Sequence, residues 1–272
     1  MQLAIDAPEG RGRAAGSGLT AEERGDGRPI LFVHGLTFDH RLLCETTESV
    51  FATRRARRLY VDLPGHGLTP AAPRYASAEG IVEALASFVD HACAAPPVVV
   101  GHSYGGYLAL GLASVRKLAG LVLVTPVVEP DPARRTVAPR RVVRGAPLTF
   151  SSNEAERRMF EEIAVLQSPS TLAAYQRLVH PASERTDREA LDAIRARYVL
   201  PWPVVSRLDP QLPTLVVCGR DDHWVGYEDA LPLVRALPRA ELEVLPDAGQ
   251  LLPIEAGERW RTALGRFLDG VD

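Results

Sequence analysis

The 272-residue chain carries 31 basic and 34 acidic side chains, a formal charge of −3, with 46% hydrophobic residues. That length can bury a large α/β core, with or without an insertion, and the near-neutral balance excludes nucleic acid or an anionic membrane as an expected partner. Three widely spaced cysteines, Cys44, Cys93 and Cys218, do not make a disulfide framework, and no His/Cys cluster has metal-ligand spacing, so free thiols and no metal site are expected. The first thirty residues lack the charged start and apolar run of a secretory leader, and no stretch of eighteen apolar residues occurs. The expectation is a soluble cytoplasmic protein.

After a loose N-terminus, residues 18–24 suit an edge strand, and Glu23-Arg24-Gly25-Asp26-Gly27 is a turn. Pro29-Ile30-Leu31-Phe32-Val33 is a continuous apolar run, the pattern of a strand covered on both faces. Residues 58–62 read as another strand. Ile81, Val82, Leu85, Phe88 and Val89 recur at helical spacing across 77–93, with Ser77 placed to cap. Strands are predicted at 97–100 and 118–124. Residues 126–210 differ in character: an arginine-rich start (Arg134, Arg135, Arg140, Arg141, Arg144) precedes three helix-like stretches near 154–166, 170–179 and 188–199. Apolar strands resume at 214–218 and 241–245, and a helix over 257–268 closes the chain. Alternating strands and helices predict an α/β fold with a doubly wound, mostly parallel sheet. Its core would be residues 1–125 and 211–272, with 126–210 inserted as a helical cap.

Gly101-His102-Ser103-Tyr104-Gly105 lies between an apolar strand and a small-residue helix, the strand–turn–helix setting of a G-x-S-x-G nucleophile elbow. Around it, in order, come His34-Gly35, Asp62-Leu63-Pro64-Gly65-His66-Gly67, Gly219-Arg220-Asp221-Asp222 and Gly249-Gln250. Together these five motifs resemble the α/β-hydrolase family, over residues 18–272, with 126–210 matching only as an insertion. The resemblance implies the α/β-hydrolase fold, a cap, and a serine hydrolase of a small carboxylic ester, thioester, lactone or related carbonyl compound. It implies Ser103 as nucleophile and the N–H groups of Leu36 and Tyr104 as an oxyanion hole. Each such donor can contribute about 3 kcal/mol when aimed at the developing charge. Asp222 falls at the acid position, with Asp221 the neighbouring alternative. His34 and His102 read as structural imidazoles.

Gln250 departs from the pattern: the family's base histidine is replaced while the following Glu255 keeps the frame. No histidine follows His223, so a shift of register cannot restore the base. A carboxamide donates and accepts hydrogen bonds but takes up no proton near neutrality, so Gln250 is placed to bridge Asp222 and Ser103 without activating the alcohol. Four explanations stand beside one another. Position 250 is an engineered exchange; or the cleft performs a non-hydrolytic cyclisation, elimination or rearrangement in small-molecule biosynthesis; or His223, His66 or His40 replaces the base; or the chain binds a ligand without turnover. Trp202, Tyr175, Phe150, Phe160 and Met159, with Trp224 and Tyr227 beyond the acid loop, are candidates for the substrate pocket or for cap core. The basic side chains of the cap are a solvated face or a docking point for an anionic substrate. A small-molecule substrate is the one partner implied; no cofactor is expected, and no oligomeric state is indicated.

Overall fold

The computed structural model describes residues 4–5, 11–13, 17–150 and 153–271. Strands β1 (Ala4–Ile5), β2 (Arg11–Arg13), β3 (Thr20–Arg24) and β4 (Arg28–Val33) lead to α1 (His40–Thr47), β5 (Ala56–Asp62), α2 (Ala78–Ala92), β6 (Val98–His102), α3 (Tyr104–Ala113) and β7 (Gly120–Val124). After the middle segment come β10 (Thr214–Gly219), α8 (Leu231–Ala236), β11 (Ala240–Leu245), α9 (Leu252–Glu255) and α10 (Gly257–Val271). The nine strands of the main sheet run in the order β1-β2-β3-β5-β4-β6-β7-β10-β11. From β5 to β11 every neighbouring pair is parallel. The first three strands pair antiparallel at one edge. The doubly wound α/β sheet expected from the sequence is therefore present. The loose N-terminus is corrected to include β1 and β2, whose pairing adds to the edge. Polar residues such as Arg11 and Arg13 carried no apolar alternation to announce them.

Each buried strand feeds two apolar layers, because successive side chains leave a strand on opposite faces. Leu31, Val33, Leu59, Val61, Val99, Leu121, Leu123 and Val216 pack with α2 and α3 on one side. Ile30, Phe32, Tyr60, Val98, Val100, Val122, Val124, Leu215 and Val217 meet α1 and α10 on the other. Ser77 Oγ accepts the Gly80 N–H (3.1 Å) and caps α2 as its position predicted. Strand order reverses direction of growth between β4 and β6, so the loops leaving these two strands diverge from a common point at the carboxyl edge. Open α/β sheets bind ligands at such a point.

Between β7 and β10 the chain forms β8 (Val143–Arg144), α4 (Glu154–Ile163), β9 (Leu166–Gln167), α5 (Pro169–Ala174), α6 (His180–Arg185) and α7 (Arg188–Ala196). A π-helical turn, Tyr175–Val179, joins α5 to α6 without a break. The helical character was expected, but the parallel β8–β9 pair was not: two residues per strand are too short to leave a period. Phe160, Leu172, Tyr175, Leu178 and Val179 of this segment pack in one cluster with Phe38 and Leu251 of the loops and Leu42 of α1. Among the described residues no helix is long and apolar enough to cross a membrane.

Candidate active site

The turn at Ser103 has φ 55° and ψ −123°, a conformation that L-residues rarely hold. It is fixed from three directions. Ser103 N donates to Val124 O (2.9 Å), and Ser103 O accepts from Gly106 N (2.9 Å) and Val127 N (3.0 Å). The two flanking glycines permit the closeness: a Cβ on Gly101 would lie 2.5 Å from Gly105 O, and one on Gly105 would lie 2.3 Å from Val33 O. Gly35 brings the loop after β4 against the serine, since a Cβ there would meet Ser103 Cβ at 2.7 Å and Oγ at 3.2 Å. Ser103 remains partly exposed. Neither the Leu36 N–H nor the Tyr104 N–H is taken by an acceptor among the described residues; Tyr104, first in α3, has no intrahelical partner available.

Asp222 lies in the loop after β10, 1% exposed. Its Oδ1 accepts the N–H groups of Trp224 (2.8 Å) and Val225 (3.0 Å), while Oδ2 is buried with no partner. Burial pushes this carboxyl up to about 7, only partly offset by the two N–H bonds. Asp221 is otherwise committed: it accepts from Arg141 (3.0 Å) and from Asp247 N (3.0 Å). Gln250 follows β11 and is 5% exposed. Its main chain is held on both sides, with Gly249 N donating to Glu255 Oε2 (2.7 Å) and Gln250 O accepting from His102 Nε2 (3.1 Å). The expected bridge to Asp222 and Ser103 is not made. Among the described residues the Gln250 side chain has no hydrogen bond to either, and its Oε1 is buried without a donor.

The histidines all have other duties. His34 Nδ1 donates to Gly35 O (2.7 Å) and Nε2 accepts Leu63 N (3.0 Å). His102 is wholly buried, edge-on to Phe38 at 4.9 Å. His40 is clasped by Asp62 (2.9 Å) and lies 3.4 Å from Glu22. His66 Nδ1 donates to Pro64 O (2.9 Å), and His223 Nε2 to Glu162 O (2.8 Å). No imidazole hydrogen-bonds to Ser103 Oγ among the described residues, so His40, His66 and His223 are not brought to the alcohol.

The aromatic candidates are scattered. Trp202 Nε1 donates to Ser114 Oγ (3.0 Å), just past the end of α3 remote from Ser103; a ten-residue helix is roughly 15 Å long. Trp202 is thereby corrected from a pocket residue to packing at the far end of that helix. Tyr175 and Phe150 both pack on Phe160, with ring centroids 5.2 and 5.9 Å apart, inside or beside the apolar cluster of the middle segment. Met159 is 50% exposed and Trp224 43% exposed, the latter beside the acid loop. Two features escaped the sequence. Tyr198 stacks on Tyr104 at 4.1 Å and its carbonyl accepts the Tyr104 hydroxyl (3.0 Å), while Tyr107 OH accepts Leu200 N (2.9 Å). Glu255 accepts Val165 N (2.6 Å) and Leu166 N (3.1 Å) in addition to Gly249 N. Its place in the Gly249 frame was visible; the partners, ninety residues away, were not.

A family model of the alpha/beta hydrolase family matches residues 30–263. The chain is 26% identical over 251 residues to the dihydrolipoyllysine-residue acetyltransferase component of an acetoin cleaving system from Pseudomonas putida, covering 89% of this chain and 64% of that protein. It is 25% identical over 277 residues to a 2-hydroxymuconate semialdehyde hydrolase from the same species, covering 95% and 93%. Among solved structures, an alpha/beta superfamily hydrolase from Oenococcus oeni PSU-1 superposes with a TM-score of 0.89 at 25% identity, over 95% of this chain and 98% of that one. The sheet order, the elbow between β6 and α3, and a family match across most of the length agree: the chain belongs to the α/β-hydrolase family.

Proposed function

We propose that this chain is a hydrolase-type enzyme acting on a small carboxylic ester, thioester, lactone or related carbonyl compound at Ser103, with its base position occupied by Gln250. The observation that carries this reading is the conjunction at the carboxyl edge: a serine on a left-handed turn, a buried carboxyl with one free oxygen at 222, and a carboxamide at 250. Ser103 Oγ would attack the carbonyl carbon, and the unengaged N–H groups of Leu36 and Tyr104 would receive the oxyanion. The departing hydroxyl proton meets a carboxamide where the family has its base, and no imidazole is hydrogen-bonded to Ser103 Oγ among the described residues. Loss of the base costs about 10⁶ in turnover in a well-studied serine protease, so hydrolysis by this chain is slow. Residues 126–210 act as the cap over this site.

A second reading draws on Asp222, which burial lifts to about 7. A carboxyl that gains and loses a proton near neutrality suits proton transfer in a cyclase, lyase or isomerase that bypasses the serine. The two readings separate by experiment. The chain and its Gln250→His variant are treated with p-nitrophenyl esters and a fluorophosphonate probe. A large gain of labelling and hydrolysis in Gln250→His supports the Ser103 reading; strong labelling of the unchanged chain overturns the assignment of Gln250 as a disabled base. No labelling of either, with turnover that survives Ser103→Ala, favours the second reading.

A further inference from the structure

Arg135 is held by three main-chain carbonyls beside the site. Its Nε donates to Glu129 O (2.9 Å), Nη1 to Trp224 O (3.3 Å) and Nη2 to Pro130 O (3.4 Å). The guanidinium also reaches the phenol of Tyr198. Every one of these neighbours is a short step from the reacting groups. Glu129 and Pro130 follow Val127, whose N–H binds Ser103 O. Trp224 N–H binds Asp222 Oδ1, and the Tyr198 ring lies on Tyr104.

No carboxylate forms an ion pair with Arg135 among the described residues, and Arg140 likewise bonds a carbonyl, whereas two other basic side chains of the same stretch are paired. Arg134 meets Glu129 at 3.2 Å, and Arg141 meets Asp221 and Asp247 at 3.0 Å each. Arg135 is half-buried, its hydrogen-bond acceptors are neutral carbonyl dipoles, and the acid that feels its charge is the buried Asp222 carboxyl. The carbonyls orient the guanidinium without cancelling its charge, in surroundings less polarisable than water. Three of its five N–H groups go to carbonyls and a fourth reaches the Tyr198 oxygen, which leaves one donor free, and the Tyr198 hydroxyl hydrogen adds another. A flat guanidinium beside a hydroxyl matches the two oxygens of a carboxylate.

We propose that Arg135, together with the Tyr198 hydroxyl, binds a carboxylate on the same ligand that presents its carbonyl to Ser103. The ligand class is then a half ester of a dicarboxylic acid, or an equivalent carbonyl compound with an anionic far end. The proposal relies on the Ser103 reading for the placement of the carbonyl alone.

The test measures binding to the full-length chain by calorimetry, comparing monomethyl with dimethyl esters of succinic, glutaric and adipic acids. At least one half ester binds about tenfold or more tightly than its diester, the scale of a charge-assisted hydrogen bond. Arg135→Gln abolishes the preference. Tyr198→Phe keeps the ring stack and reduces the preference by a smaller factor, and Arg134→Gln leaves it intact. The proposal is overturned if no half ester is preferred over its diester, if the preference survives Arg135→Gln, or if Arg134→Gln reduces it equally. Should Arg135→Gln fail to fold, an undiminished preference in Tyr198→Phe overturns it. Failure here is distinct from failure of the Ser103 reading: fluorophosphonate labelling of Gln250→His tests the latter and does not depend on Arg135.

Discussion

Two buried aspartates at the same sheet edge, each 1% exposed, titrate in opposite directions. Burial pushes Asp62 upward, but His40 and main-chain N–H groups outweigh it and hold the carboxyl below its ordinary value. Asp62 accepts His40 N (2.8 Å), Leu68 N (2.8 Å) and His40 Nδ1 (2.9 Å). His40 is raised in turn, because its carboxylate partners outweigh the burial that would lower it. Asp222 has the two N–H bonds without an imidazole, and burial wins, lifting it to about 7. The contrast teaches that main-chain donors alone do not keep a carboxylate ionised in this environment; a histidine partner decides the charge.

The sharpest way to break that comparison is to supply the missing partner. In Gln250→His, Ser103 labelling by a fluorophosphonate rises by roughly 10³ or more. Asp222, followed by carbon NMR of its carboxyl, leaves the region of about 7 for the ordinary carboxylate range or below. A carboxyl that still titrates near 7 would refute the role given to the imidazole. The converse removal comes next in size. His40→Ala takes from the buried Asp62 the imidazole that clasps it, while Glu22 keeps its pair with Arg24 (2.6 Å), and a urea titration shows a loss of about 3–5 kcal/mol. Asp222→Asn, which has no pair to break, costs much less.

A third test uses pH. Asp222 and Glu255 are both lifted to about 7, chiefly by burial, from ordinary values of 3.8 and 4.5. Between those ordinary values and 7 the unfolded chain has released protons that the folded chain retains. Stability from these groups therefore falls as pH rises through this window and levels off above it. Asp222→Asn and Glu255→Gln each make that decline shallower, read as urea midpoints from acid to neutral pH. Smallest is Ser103→Gly, which relieves the left-handed turn and stabilises by about 1 kcal/mol, visible as a rise of roughly 2 °C in the melting temperature. Ser103→Ala gives no such gain.

The sheet was legible because continuous apolar runs such as 29–33 and 214–218 are local, and because turns such as Gly101–Gly105 tolerate few residue types. Motif order pointed to positions 103, 222 and 250, which the fold sets after β6, β10 and β11. What the sequence hid was pairing across distance. Trp202 announced an aromatic but not that Ser114 would receive its indole. Arg135 was one arginine in a cluster, and its want of an acidic partner emerges only when its neighbours fold around it. Tyr198 gained its place over Tyr104 through a helix exit that carries no motif.

The main chain at position 250 is fastened through its neighbours, Gly249 by the Glu255 carboxylate and the 250 carbonyl by His102. The side chain there bears no structural burden. Glutamine and histidine codons differ only in their third base, so a point mutation can exchange a carboxamide for a base on a peg already in place. A lineage carrying this sequence stands one nucleotide from an imidazole at position 250, on main chain that is already fastened.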